Sequence, residues 1–179
     1  MNDREKLESV FKKHGCTDFK WIDPKDIVTG QWVRLKCIFG CGSYGNRACC
    51  PPNVPSVAEC KQFFSEYKTG VIFHFAKTID KPDDRHALGR KINQGLLSVE
   101  REVFLMGHQK AFVLLQGSCN ICEECTKVRG DCKDLKSARP TPESMAIDVY
   151  STARKYNFPI NVLTDYAQTM NRYAFLLIE

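Results

Sequence analysis

Residues 71–115 read VIFHFAKTIDKPDDRHALGRKINQGLLSVEREVFLMGHQKAFVLL. The stretch opens on a strand-length apolar run, 71–76, built from the β-branched and aromatic residues that suit a pleated surface. Its middle repeats Leu88, Ile92, Leu96, Val99, Val103 and Met106 at helical spacing, which predicts one long helix over about 84–106 with Gly107 suited to its C-cap. Its end, AFVLL at 111–115, is again the length of a buried strand. A strand, a helix and a second strand in succession are the unit from which layered α/β domains are assembled.

The flanks continue this pattern. Residues 2–14 predict an amphipathic helix with Leu7, Val10 and Phe11 on one face. QWVRLK at 31–36 predicts a short strand that runs straight into a cysteine-rich loop. Ser56 and Glu59 have the spacing of a capping box and open a helix over about 57–67. Thr141 is an N-cap with Pro142 at the first helical position, for a helix to about 156, and strands follow at 160–163 and 173–178. The expectation is an α/β fold: a single layered domain over 1–179, with a mixed or mainly parallel sheet, flanking helices and two cysteine-rich loops at 37–52 and 117–139. Each loop follows an expected strand, which places both at one edge of the sheet, where open α/β folds build sites. There is no repeat, low-complexity segment or linker.

Composition narrows the function classes. The chain has 179 residues, 43% hydrophobic and 26% charged, with a formal charge of +5. That charge is mild and lacks the dense basic face of a nucleic-acid binder. The first residues, MNDREKLESVFKKHG, carry no apolar run like that of a signal peptide, and the longest apolar runs are too short to span a bilayer. The expected location is the cytoplasm, with no membrane or nucleic-acid partner. No G-x-G-x-x-G, P-loop or nucleophile–base arrangement is present.

Ten cysteines in a reducing compartment point to metal binding or redox chemistry rather than structural disulfides. GSCNICEECTKVRGDC at 117–132 holds Cys119, Cys122 and Cys125 as C-x2-C-x2-C, with Cys132 beyond them. Such a triplet is the bacterial ferredoxin signature, in which two-residue gaps let the backbone wrap a four-iron cubane. There the fourth cysteine precedes proline; here Cys132 precedes Lys133 and reads as a local fourth ligand. Zinc is the alternative, although zinc sites usually pair two separate knuckles.

CIFGCGSYGNRACCPP at 37–52 supplies Cys37, Cys41 and Cys50 as a second ligand set, with Cys49 as a possible fourth. Either this loop holds its own cluster with one iron open to a substrate, which is the favoured arrangement, or Cys50 crosses over to complete the Cys119 triplet. Tyr44 and Arg47 are candidates for a proton donor and an anion clamp, and Asp148 is a further candidate facing the site. Lys127, Arg129, Lys133, Lys136 and Arg139 stand against Asp131 and Asp134, a net +3 beside the triplet that suits an acidic electron carrier such as ferredoxin. Cys16 and Cys60 read as packing thiols, and His74, among Ile72, Phe73 and Phe75, as a satisfied core histidine.

These elements together resemble a family of predicted metal-binding proteins found largely in anaerobic archaea and bacteria, domain of unknown function family 2284. The elements are Cys37, Cys41, Tyr44-Gly45, Cys50-Pro51-Pro52, Cys119, Cys122, Cys125, Cys132, Ala138-Arg139-Pro140 and Ala146-Ile147-Asp148-Val149. Cys49 departs from that pattern, Thr141 stands for a serine and Ala146 for a glycine. The resemblance implies metal or iron–sulfur binding and brings no reaction. The expected function is an iron–sulfur protein with two [4Fe-4S] clusters, acting in electron transfer or in redox chemistry on a small substrate at a site-differentiated cluster. The alternatives are a zinc-binding structural or interaction module and a thiol-based sulfur or metal carrier using the Cys49–Cys50 pair; a homo-oligomer is left open.

Overall fold

A computed structural model describes residues 2–78, 84–165 and 167–179. Its centre is a ribbon of β2 (Gly70–Lys77) and β4 (Met170–Leu177), paired antiparallel from Gly70 opposite Leu177 to Lys77 opposite Met170. β1 (Phe19–Ile22) and β3 (Phe112–Leu114) flank the ribbon, giving a four-stranded sheet ordered β1-β2-β4-β3. Every neighbouring pair is antiparallel, which corrects the expectation of a mainly parallel sheet. The reason lies in β4. The strand–helix–strand unit exists as β2, α4 (Asp84–Leu105) and β3, but the last strand of the chain inserts between its two strands and runs opposite to both. It is a split βαβ unit.

Side chains alternate across the sheet into two cores. Val71, Phe73, Val113, Leu115, Leu176 and Ile178 face α1 (Asp3–Lys13) and α4, meeting Leu7, Phe11, Leu96, Val99 and Val103. Ile72, Leu114, Tyr173, Phe175 and Leu177 face α3 (Val57–Ser65), α5 (Val149–Lys155) and the connecting loops, meeting Cys60, Phe64, Met145, Ile147 and Ala153. With both faces covered, the strands are continuously apolar, a pattern more usual in parallel sheets. Cys16 and Cys60 are fully buried in these cores, and burial pushes the Cys16 thiol up to about 12. His74 is held between the Asp18 carboxylate at 2.6 Å and the Asn171 side chain at 2.7 Å.

The Ser56–Glu59 capping box forms as expected, with Glu59 N donating to Ser56 Oγ and Ser56 N to Glu59 Oε2. Three local expectations change. Residues 31–36 belong to a helix, α2 (Gln31–Gly40), whose single fully buried residue is Val33. The helix expected from 141 is interrupted: Thr141 and Ser144 cap one turn, Ala146 adopts a φ of 62°, and α5 restarts with Asp148 as its N-cap. A left-handed residue cannot continue a right-handed helix. Residues 160–163 form no strand, although Ile160 is buried. Among the described residues no helix is long and apolar enough to cross a membrane.

α1 and α4 approach each other closely at Gly95, where an added Cβ would lie 2.8 Å from the His14 carbonyl oxygen. In an exposed helix, glycine to alanine would add about 1 kcal/mol of stability. Here the overpacking term, about 1–3 kcal/mol, opposes it. We expect Gly95→Ala to lower the melting temperature by several degrees; an increase would show that the two helices stand farther apart.

β3 pairs only with the second half of β4, opposite Phe175–Leu177. The chain then leaves the sheet at Gly117, whose φ of 70° lies in the region that glycine reaches without strain. The β2–β4 ribbon runs on past this exit, with Phe75 opposite Arg172 and Lys77 opposite Met170. Those four residues line a cleft that also receives both cysteine loops.

Candidate metal centre

The first cysteine loop starts on the last turn of α2, which carries Cys37, and Cys41 is the C-cap. Tight turns fold the rest back: Tyr44 N donates to Cys41 O, Gly45 N to Pro51 O, Cys50 N to Arg47 O and Asn53 N to Cys50 O, all at 2.9–3.1 Å. The second loop, beyond β3, is built the same way, with Cys132 N on Arg129 O and Ser137 N on the Asp134 carboxylate. Several contacts join the loops. Asn53 Nδ2 donates to Lys127 O at 2.7 Å, the Ser43 and Ser118 hydroxyls lie 3.4 Å apart, and Ala48 N donates to Cys125 Sγ at 3.3 Å.

This joining divides the neighbouring thiols Cys49 and Cys50. Cys50 stands with Cys37 and Cys41 on the wall of the open cleft. Its thiol is raised to about 11, first by burial and then by the nearby Cys41 and Cys37, with the Ser118 hydroxyl and the Arg47 charge opposing. Cys49 points the other way, into a small enclosed cavity lined by Cys119, Cys122, Cys125 and Cys132. There it shares a hydrogen bond with Cys119 that lowers the Cys119 thiol to about 6, aided by the backbone N–H groups of Ile121 and Arg139 and by the Arg47 charge, against desolvation. The same bond, together with burial, pushes the Cys49 thiol far upward. Arg129 Nη1 also donates to the Cys49 sulfur, at 3.6 Å.

A family model of predicted metal-binding proteins, DUF2284, matches residues 20–178. The chain belongs to this family. No curated protein and no solved structure matches it. As a DUF2284 protein it has nine of its ten cysteines inside the matched span, since Cys16 alone precedes residue 20. The donor chemistry suits a thiophilic metal: clustered sulfurs that receive N–H hydrogen bonds, Cys125 from Ala48 across the loops and Cys119 from Ile121 and Arg139 of its own. The sulfurs surround cavities; among the described residues no set of three His, Cys, Asp or Glu closes on a point that could hold a single metal ion.

The other candidates fall in different places. Tyr44 and Arg47 line the cleft beside Cys37, Cys41 and Cys50, and Arg47 and Cys119 line both cavities. Arg139 is taken by structure: its Nε meets Glu100 at 2.9 Å, and its Nη1 donates to Lys136 O and Ala138 O. Asp148 caps α5, accepting from Ser151 N and Ser151 Oγ, away from the thiols. Two neighbours had no signal in the sequence. Ser118, beside Cys50, looks like an ordinary loop serine, and Arg172 lies 122 positions beyond Cys50 on a strand. The place of Cys49 was half-visible, since adjacent side chains point apart.

Proposed function

We propose that this DUF2284 protein carries two iron–sulfur clusters and passes electrons between an acidic carrier and a small substrate. The observation that carries the reading is the division of Cys49 and Cys50 between two thiol groups, which joins them through one peptide unit. Cys119, Cys122, Cys125 and Cys132 would hold one cluster, with Cys49 as hydrogen-bond donor to it; Cys37, Cys41 and Cys50 would hold the other. When bound, such a group supplies one-electron chemistry at a potential set by its hydrogen bonds and exposure. The N–H groups of Ala48, Ile121 and Arg139 stabilise thiolate charge, which favours the reduced form. Tyr44 is placed to hold a proton at the open cleft, and Arg47 a negative charge.

Lys127, Lys133 and Lys136 are exposed on the second loop and suit an acidic carrier such as ferredoxin, while the exposed Glu123 and Glu124 temper that face. The test is the iron, acid-labile sulfide and zinc content of anaerobically purified protein. The reading expects about eight irons per chain with matching sulfide, as two cubanes require. Zinc without sulfide would replace it with a structural metal module.

A further inference from the structure

The cleft in front of Cys37, Cys41 and Cys50 has a volume of about 610 Å³, a size that takes a metabolite-scale ligand. Its walls differ in chemistry. Phe75, Ile92 and Met170 form an apolar side. Arg47, Lys77 and Arg172 bring three cations from three separate parts of the chain, the first cysteine loop, β2 and β4. Glu143 is the one carboxylate lining the cleft among the described residues. None of the three cations makes an ion pair among the described residues. Arg172 is half-buried, and among the described residues its Nε meets the Met170 sulfur alone and its terminal nitrogens meet no partner.

Cations gathered on the walls of a partly apolar cleft attract an anion more strongly than the same charges on an open surface. The position of Arg172 follows from topology, because only the stretch of β4 beyond the end of β3 can face this cleft. We propose that the cleft binds a small organic anion, a carboxylate or phosphate ester with an apolar body, its head held by Arg47 and Arg172 and its body lying on Phe75, Ile92 and Met170. This rests on the two-cluster reading only in naming the class of ligand that the open thiol site faces.

The experiment is calorimetric titration of anaerobically purified protein with benzoate, phenyl phosphate, benzyl alcohol and benzylammonium, with iron and sulfide measured on each sample. Benzoate or phenyl phosphate is expected to bind, and which of them binds more tightly assigns the head group. The alcohol and the cation, which share the apolar body, are expected not to bind. Arg47→Gln and Arg172→Gln should each weaken the anion by about tenfold or more, as loss of a charge-assisted hydrogen bond does. Lys77→Gln, on an exposed side chain, provides a further variant whose fold is safe, and it should weaken binding less. Equal binding of benzylammonium, or affinities unchanged in all three variants, would overturn the proposal. Iron-loaded protein that ignores both anions overturns it while leaving the clusters standing; iron-free protein that binds benzoate supports it and removes the redox role.

Discussion

If the chain carries the two clusters proposed, a Cys119→Ser protein loses about half of its iron and labile sulfide, and Cys50→Ser the other half. Cys119 lines both cavities, and its bond to Cys49, the backbone of Ile121 and Arg139 and the Arg47 charge lower its thiol. A serine hydroxyl is a harder ligand on a shorter bond and stays protonated at neutral pH, so it replaces a thiolate poorly. Cys50 stands instead with Cys37 and Cys41, so its loss should spare the other group. Cys49→Ser is the informative third variant. Serine keeps a donor toward Cys119, so iron should stay near the wild-type count while the potential of the retained cluster shifts. If Cys50→Ser empties the Cys119 group, the two sites are crossed and the open-iron arrangement is wrong. If Cys49→Ser does so, Cys49 is a ligand rather than a donor.

Glu100→Ala should be the most damaging change made away from the thiols. The Glu100 carboxylate is buried on α4 and accepts both Val113 N and Arg139 Nε at 2.9 Å. It therefore joins α4, β3 and the end of the second cysteine loop at one point. Removing it leaves an arginine and a backbone N–H without their acceptor. Breaking a buried pair from one side costs about 3–5 kcal/mol. For a domain of this length that is roughly 10 °C in melting temperature, read by calorimetry or circular dichroism. The double variant Glu100→Met with Arg139→Met should recover much of the loss, because no charge is then stranded. A single variant melting within a degree or two of wild type would mean that water screens the pair.

Much of the core was readable from local pattern. Leu96, Val99 and Val103 recur over enough turns to leave one period standing, and Ser56 with Glu59 announces a helix start by chemistry that acts within four residues. The misreadings have equally physical origins. Val33 and Leu35 alternate with Arg34 and Lys36, and six residues are too few to tell that alternation from one side of a helix. Strand direction was hidden because Val71–Phe73 and Ala174–Leu177 are apolar on both faces, and burial on two sides carries no information about polarity. β1 was not foreseen, since Phe19 to Ile22 is too short to show a period. The gathering of Cys119, Cys122 and Cys125 was legible from spacing, because residues three apart in a tight loop stay close in space. Lys77 and Arg172 were not. Each is an isolated charge near a strand end, and only the early end of β3 brings them to the sulfurs.

The Cys49–Cys50 bond has a mechanical consequence. Consecutive Cα atoms are fixed about 3.8 Å apart across a trans peptide. Helices may slide and loops may breathe, yet the two thiol groups cannot drift from one another at this point, because a covalent tether and not packing sets the gap. A spacing kept this way does not depend on side-chain packing at that bond. It is vulnerable to a single change. One glycine inserted between Cys49 and Cys50 lengthens the tether and turns one side chain away, separating the two groups while leaving every sulfur in the protein.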